Sequence, residues 1–475
     1  MTSRSAELPI QFEPEEATSL WVTLIVGAQG AVLILAPTVL NVAVAIQASN
    51  LDDTHLAWGV FTALLITAAI TALQSFQVWR FGGGHIVLTS PAALFIAIMA
   101  ASMSAAGPSM FASLLVICCV IQIGLAFWLP TFRRIFTPVV IGTVTMLIAV
   151  SVLPIAFNSI QNLPDDAPTA SGPLIAAATV IISIIMTLRA RGRWRLAGPF
   201  VAIVAGYLVA VAFGLVETER IGRAAWFGIP EVPELGFDLT FSQEFWALLP
   251  SFAILTLVIG IKTISDGVAI QQGSRRQPRA IDFRQIQGMV SVNGIGMLLA
   301  GIAGTLPPMS YSSFSLSLIS LTGVAARRVG IGVAVVIVAF AFFSKVTALL
   351  LTIPGPVLGA YLMLAMGMLF VSGLQTILRD GLDQKRVLIV ALAGSLGLGL
   401  HNHPIMTDLF GEVMGGLLGN GATIGAVVAI GMTFLFESFG SRLSRLEVTL
   451  ENTSLPAIDE FLTGLASGLR WNEAS

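Results

Sequence analysis

Long apolar runs separated by short polar or charged intervals follow one another from Leu20 to Phe436 and leave this chain few folds. A helix crosses a hydrocarbon core of roughly 30 Å with about 20 apolar residues. Runs of that kind lie at Leu20 to Ile46, Leu56 to Phe76, Ile86 to Ala105, Met110 to Trp128, Pro138 to Phe157, Pro173 to Leu188 and Gly198 to Leu215. A second group lies at Phe245 to Gln271, Ile286 to Ala303, Pro307 to Leu321, Val329 to Ile353, Pro356 to Leu374, Val387 to Leu400 and Ala422 to Phe436. They make about fourteen spans in two sets of seven. Of the 475 residues 56% are hydrophobic and 11% charged, where a soluble domain carries about a quarter charged residues. The expectation is an all-α polytopic membrane protein whose main solvent is the lipid bilayer.

Loop charge orients it. With the N-terminus cytoplasmic, the inner loops and the start of the tail hold Arg80, Arg133, Arg134, Arg189, Arg191, Arg193, Arg195, Arg275, Arg276, Arg279, Arg284, Arg327, Arg328, Arg379, Lys385, Arg386, Arg442 and Arg445. The outer loops hold Arg220 and Arg223. Positive charge stays inside, so both termini are expected in the cytoplasm. Residues 1–18 have several acids and lack the basic, apolar and small-residue order of a cleavable signal, so they read as a short solvated tail. The division expected is then 19–215 for the first seven spans, 216–243 for an acidic outer loop, 244–438 for the second seven and 439–475 for a cytoplasmic segment. Net charge is -2 and no basic cluster is long enough to track a phosphate backbone, so no nucleic-acid partner is expected. Cys118 and Cys119 are adjacent in an apolar run and report nothing about redox compartment.

Seven spans per half is an odd number, so the second half enters the membrane inverted. FTPVVIGTVTMLI at Phe136 to Ile148 resembles IPGPVLGAYLMLA at Ile353 to Ala365, with Pro138 and Pro356 lying 218 residues apart. At nearly the same offset, the polar break GGGHIVLTSPAAL of the third span matches LPPMSYSSFSL of the tenth. Inverted repeats with interrupted helices at matching places are the pattern of secondary transporters, whose substrate sits near mid-membrane between the breaks. Stretches of this kind run extended before turning helical, and their backbone groups need a cavity or a partner strand.

The segment from Phe252 to Arg328 concentrates the anomalies. Lys262 lies 18 residues after Glu244 and 13 before Arg275, so on a continuous helix it stands roughly 27 Å from one charged flank and roughly 20 Å from the other. Both distances exceed half of a core about 30 Å thick, which leaves no obvious route for snorkelling. A lysine at helix centre costs about 2.5 to 3.5 kcal/mol on insertion scales, and Asp266, one turn on, is its natural partner. The pair reads either as a structural ion pair facing the bundle or as part of a transport site. The serines near Ser310 to Ser315 read either as a hydrogen-bonding floor or as small residues for helix packing; Thr89, Ser90 and Gln29 carry the same two readings.

These residues also carry a resemblance. GIAGTLPPMSYSSFSLSLISLTGVAARRVG, then FFSKVTALLLTIPGPVLGA, together with GAQG at Gly27 to Gly30 and ISDG at Ile264 to Gly267, resemble the nucleobase-ascorbate transporter family, which includes bacterial xanthine and uracil permeases. The resemblance covers nearly all of the chain up to about Gly440. It implies a core domain of spans one to four and eight to eleven with two short antiparallel strands in the third and tenth spans. It further implies a gate domain of the remaining spans that forms a homodimer contact, an elevator motion, and residence in a bacterial inner (plasma) membrane. Three positions depart from the family pattern. Lys262 stands where the eighth span carries a glutamate, the tenth span's glutamate or glutamine before asparagine falls on Ser313 or Phe314, and Gln29 is followed by Gly30 instead of histidine.

The candidate substrate residues are therefore Gln29, Thr89, Ser90, Lys262, Ser312, Ser313, Phe314 and Ser315, with Asp266 as the ion-coupling carboxylate. Three functions stay open. One is import of a xanthine-like or uracil-like base with a proton or sodium ion; no other cofactor is expected. The second is transport of a small anion (carboxylate, bicarbonate, sulfate or urate) on Lys262. The third is a solute sensor signalling through 439–475, where LEVTL reads as a strand and Ile458, Phe461, Leu462 and Leu465 as one face of a helix. His401 and His403 lack further ligand residues and make no metal site. No nucleotide loop or nucleophile constellation points to an enzyme.

Overall fold

The computed structural model describes residues 10–127, 137–164, 167–189, 198–216, 222, 226–238, 240–277, 279–378, 381, 383–401, 421 and 423–436. The strand-and-helix reading of 439–475, His403, and the arginines at 133, 134, 191, 193, 195, 442 and 445 lie outside the described residues. In chain order the elements are α1 (Leu20–Ala48), α2 (Asp53–Ser75), β1 (Thr89–Pro91), α3 (Ile96–Phe127), α4 (Pro138–Gln161), α5 (Ser171–Arg189), α6 (Gly198–Ala212) and α7 (Gln243–Gly273). Then come α8 (Phe283–Ala303), β2 (Pro308–Ser310), α9 (Ser312–Thr322), α10 (Arg328–Phe342), α11 (Ser344–Leu351), α12 (Gly355–Leu378), α13 (Gln384–His401) and α14 (Thr423–Phe436). Among the described residues, eight helices are long and apolar enough to cross a membrane, and four shorter apolar helices accompany them.

Local chemistry sets the boundaries. The Ser19 hydroxyl accepts from Val22 N–H at the start of α1, Asp52 accepts from His55 N–H at the start of α2, and Thr137 caps α4 ahead of Pro138. Gly304 and Gly323, at φ 66° and 69°, close α8 and α9 in the left-handed region that a side chain disfavours. The third and fourth expected spans differ from the sequence reading. Ile86 to Leu88 are non-helical and buried, β1 follows, and α3 then runs through both expected spans with a kink at Gly107 (φ 78°) and Pro108. The eleventh expected span is broken at Phe343, between α10 and α11.

Two packing groups emerge. In one, α1 and α2 pack on α10, and α3 packs on α7 and α8; in the other, α4 packs on α12 and α13, and α12 and α6 pack on α5. The α4–α12 crossing is made by reciprocal glycines: a Cβ on Gly142 would lie 2.5 Å from Gly373 O, and one on Gly373 would lie 2.7 Å from Gly142 O. Gly142→Leu should therefore force the two backbones apart and destabilise the fold by about 3 kcal/mol or more. Gly367→Leu, on an open stretch of α12 with nothing within 4 Å, should leave the thermal unfolding transition in detergent unchanged.

The first described residues are not a solvated tail. Residues 10–16 clasp the loops that follow α7 and α9: Phe12 forms a parallel bridge with Val324, Arg327 N–H donates to Pro14 O at 3.1 Å, and Arg276 holds Glu16 at 2.8 Å and donates to the Ile10 and Gln11 carbonyls. Arg275 donates to both Glu15 oxygens, and that hydrogen bonding holds the Glu15 carboxyl below its usual range. The strap ties the C-terminal end of α7 to the C-terminal end of α9, the two helices that carry the candidate site.

Candidate substrate site

The two breaks meet as a ribbon. β1 and β2 pair antiparallel with Thr89 opposite Ser310, Ser90 opposite Met309 and Pro91 opposite Pro308, and all six residues are buried. Backbone bonds from Ala92 N–H to Pro307 O (2.8 Å) and from Tyr311 N–H to Leu88 O (3.0 Å) continue the pairing at each end. Each interrupted segment thus satisfies the other's polar backbone inside the apolar interior.

On one side of the ribbon, one helical turn of α7 brings Lys262 and Asp266 to a common face. Lys262 Nζ lies 2.7 Å from Asp266 Oδ2, and the Ser312 hydroxyl, at the first residue of α9, donates to Oδ1 at 2.6 Å. The ammonium stands 5.1 Å from the centroid of the Tyr311 ring, within the range of a cation–π contact. The Tyr311 and Phe314 rings are 5.3 Å apart with 39° between their planes. Tyr311 also donates its hydroxyl to Pro91 O at 3.3 Å, where Asn41 Nδ2 donates at 3.0 Å, so it ties this cluster to β1.

A neutral polar network lies behind. Asn293 of α8 donates through Nδ2 to Thr263 Oγ1 and to Ser310 Oγ, each at 3.0 Å, and its Oδ1 accepts from Gln74 Nε2 at 3.2 Å. Thr89 contacts Thr71 Oγ1 at 2.8 Å, and Ser90 contacts Thr38 Oγ1 at 3.2 Å. These groups are buried and hydrogen-bonded to one another, as buried polar side chains must be.

The expected site residues therefore separate. Lys262, Asp266, Ser312 and half-buried Phe314 come together. Ser313 is exposed. Ser315 is a clamp, accepting from Leu88 N–H at 2.9 Å and donating to Tyr311 O at 3.0 Å. Thr89 and Ser90 are fully buried and turn toward α2 and α1. Gln29 is half-buried and has no hydrogen-bond partner among the described residues; its neighbour Gly30 packs toward Leu88 and Leu318. Tyr311, Asn293 and Thr263 were not singled out by sequence, and Ser310 was named there only as the edge of the serine-rich break. The available signal was that Thr67, Thr71 and Gln74 fall on one face of α2, opposite a lone asparagine in α8.

Chemically, the cluster offers an ammonium donor, a carboxylate acceptor and two aromatic faces within one side-chain length. A planar heterocycle with carbonyl and N–H groups along its edge matches that set. Among the described residues no three His, Cys, Asp or Glu gather as metal ligands.

Comparisons with known proteins agree on family and fold. The sequence pattern of the permease family for xanthine and uracil matches residues 22–406. The xanthine permease XanQ of Escherichia coli is 25% identical over 436 residues, covering 88% of this chain and 92% of that one. XanP of the same organism is 28% identical over 64% of this chain and 66% of its own, just under two thirds of its length. The uracil permease of Bacillus caldolyticus is 30% identical over 54% of this chain and 59% of its own. Among solved structures, the transmembrane domain of a cyanobacterial bicarbonate transporter has a TM-score of 0.58 at 15% identity, covering 88% of this chain and all (100%) of that one. A murine solute carrier 26 anion transporter in the inward-facing state has 0.60 at 12% identity, covering 90% of this chain and 69% of its own. At such identities these two share the fold alone. The match over residues 22–406 places the chain in the xanthine/uracil permease family, an integral membrane transporter family and not an enzyme family.

Proposed function

We propose that this protein moves a nucleobase of the xanthine or uracil kind across the membrane together with a proton or sodium ion. The observation that carries the reading is the pairing of Lys262 and Asp266 beside the Tyr311–Phe314 rings, in a chain whose relatives are xanthine and uracil permeases. The ammonium donates to a base carbonyl, Asp266 accepts from a ring N–H, and the aromatic faces cover the ring. Gln29, Ser313 and Ser315 complete the proposed surroundings, Thr89 and Ser90 set the ribbon at its back, and Asp266 carries the coupling charge.

The proposed frame is fourteen segments in two inverted sets, a core domain of the ribbon-bearing helices and a gate domain around α4 and α12. The separate packing groups support this division. The core then slides along the gate as an elevator, gates pair in a homodimer, and both termini face the cytoplasm of a bacterial inner (plasma) membrane. A second reading, a small-anion transporter, is favoured by the cationic Lys262 and by fold neighbours described as bicarbonate and anion transporters.

Uptake of radiolabelled xanthine and uracil into proteoliposomes, set against oxalate and sulfate, decides between them. Uptake of the bases is expected. Accumulation of the inorganic and carboxylate anions alone would replace the first reading by the second.

A further inference from the structure

The turn between α2 and β1 is built more firmly than a connection needs. Val78 and Phe81 exchange both backbone hydrogen bonds at 2.9 Å, closing a two-residue hairpin with Trp79 and Arg80 at its tip. Two helices fix its base: Gly82 N–H donates to Gly288 O of α8 at 3.1 Å, and Gly83 and Gly84 N–H donate to Gln74 O of α2 at 3.1 and 2.9 Å. Trp79 holds φ 55° at the first central position, where a hairpin of this kind ordinarily places glycine. Its side chain is 69% exposed and gives the fold little packing to offset that strain.

The tip sets a cation among rings. The Arg80 guanidinium carbon lies 5.5 Å from the Trp79 ring centroid and 4.9 Å from that of Phe127, the last residue of α3, within cation–π range of both. Among the described residues no carboxylate pairs with Arg80 and no acceptor takes its N–H groups. Gln285 Nε2 of α8 lies 3.5 Å from Gln77 Oε1, which brings exposed Arg284 toward the same corner. The carboxylate of that turn, Asp282, already accepts from Arg284 N–H as the cap of α8. An apolar strip leads away from the tip, for Val78, Phe76 and Leu73 are all exposed and run back onto α2, a helix long and apolar enough to cross a membrane.

Free guanidinium donors match a phosphate, which arginine grips with two parallel hydrogen bonds. The strip beside them matches acyl chains, so the combination outlines a phospholipid and not a soluble anion. Tryptophan and arginine also gather where headgroups lie. We propose that this hairpin binds the phosphate of an anionic glycerophospholipid. Arg80 donates to the phosphate oxygens, Trp79 lies at the level of the glycerol, and the acyl chains follow Phe76 and Leu73 along α2. Because its base is held by α2 and α8, the hairpin anchors the ribbon-bearing helices to one leaflet. The site is independent of which solute the protein carries.

Native mass spectrometry of the purified full chain, titrated with dioleoyl phosphatidylglycerol, reads the affinity of the tightest bound lipid. Arg80→Gln is expected to weaken it about fivefold, the factor that corresponds to one arginine at an anionic surface. Arg328→Gln, at another exposed arginine, should match the wild type. Arg80→Lys keeps the charge and the local fold but not the flat fork, and should bind about twofold more weakly than the wild type. Unchanged affinity in Arg80→Gln or in Arg80→Lys, an equal loss in Arg328→Gln, or equal binding of dioleoyl phosphatidylcholine would overturn the proposal. So would displacement of the lipid by inorganic phosphate, which would make the site one for the free ion.

Discussion

Lys262→Met is expected to lower the unfolding free energy by about 3 kcal/mol and to bring base uptake down to the level of empty liposomes. The stability loss follows from what remains. Asp266 is buried, and without the ammonium 2.7 Å away its charge keeps a single side-chain donor, the Ser312 hydroxyl. Removing one partner of a buried pair typically costs about 3 to 5 kcal/mol, because the other charge is left uncompensated. The low end fits here, since both side chains keep some exposure. Lys262→Met/Asp266→Leu removes both charges together and should recover most of the thermal transition in detergent, since apolar replacements of a buried pair are often neutral. It should not recover uptake, because the proposed donor and acceptor for the base are both gone. Restored uptake in the double variant would make the pair a structural feature and move the site elsewhere.

The part of this site that lies within one helical turn was legible in the sequence. Lys262 and Asp266 are four residues apart in an apolar run, so the helix itself brings them to one face, and nothing distant had to be known. The two breaks were legible for a similar reason. Pro307, Pro308 and the Gly82 to Gly84 run disrupt helices wherever they stand, and extended backbone in an apolar setting demands a partner. Their register was not legible, because three-residue strands offer no periodicity to align Thr89 with Ser310. Nor was the role of Tyr311, which reads as one more aromatic in a membrane segment until the ribbon sets it between Lys262 and Pro91. The docked strap was misread because acidic residues near a terminus look solvated. Their partners Arg275 and Arg276 lie some 260 positions away, a pairing that local pattern does not reveal.

The same distinction explains why an effect comparable to that of Lys262 is expected from a residue that sequence passed over. Asn293→Leu should destabilise the protein by about 3 kcal/mol and raise the apparent KM for base uptake several-fold. Asn293 is fully buried and joins three elements, with α7 through Thr263, α2 through Gln74 and β2 through Ser310. Leucine fills a similar volume and satisfies none of them. Thr263 still donates to Ile259 O and Gln74 still donates to Met289 O, so the main loss falls on Ser310, whose hydroxyl donates to Asn293 Oδ1 at 3.3 Å and accepts from Nδ2 at 3.0 Å. An unsatisfied buried polar group costs about 1 to 3 kcal/mol. Ser310 stands two residues before Ser312, so a displaced β2 also shifts the hydroxyl that holds Asp266. A double-mutant cycle separates these effects. Ser310→Ala removes the orphaned hydroxyl, so Asn293→Leu/Ser310→Ala should be less damaging than the two single changes combined by about 1 kcal/mol. Strict additivity would mean that Asn293 does not act through the ribbon. Ser104→Leu, at an exposed position of α3, should change neither unfolding nor KM and so reports the effect of adding a leucine alone.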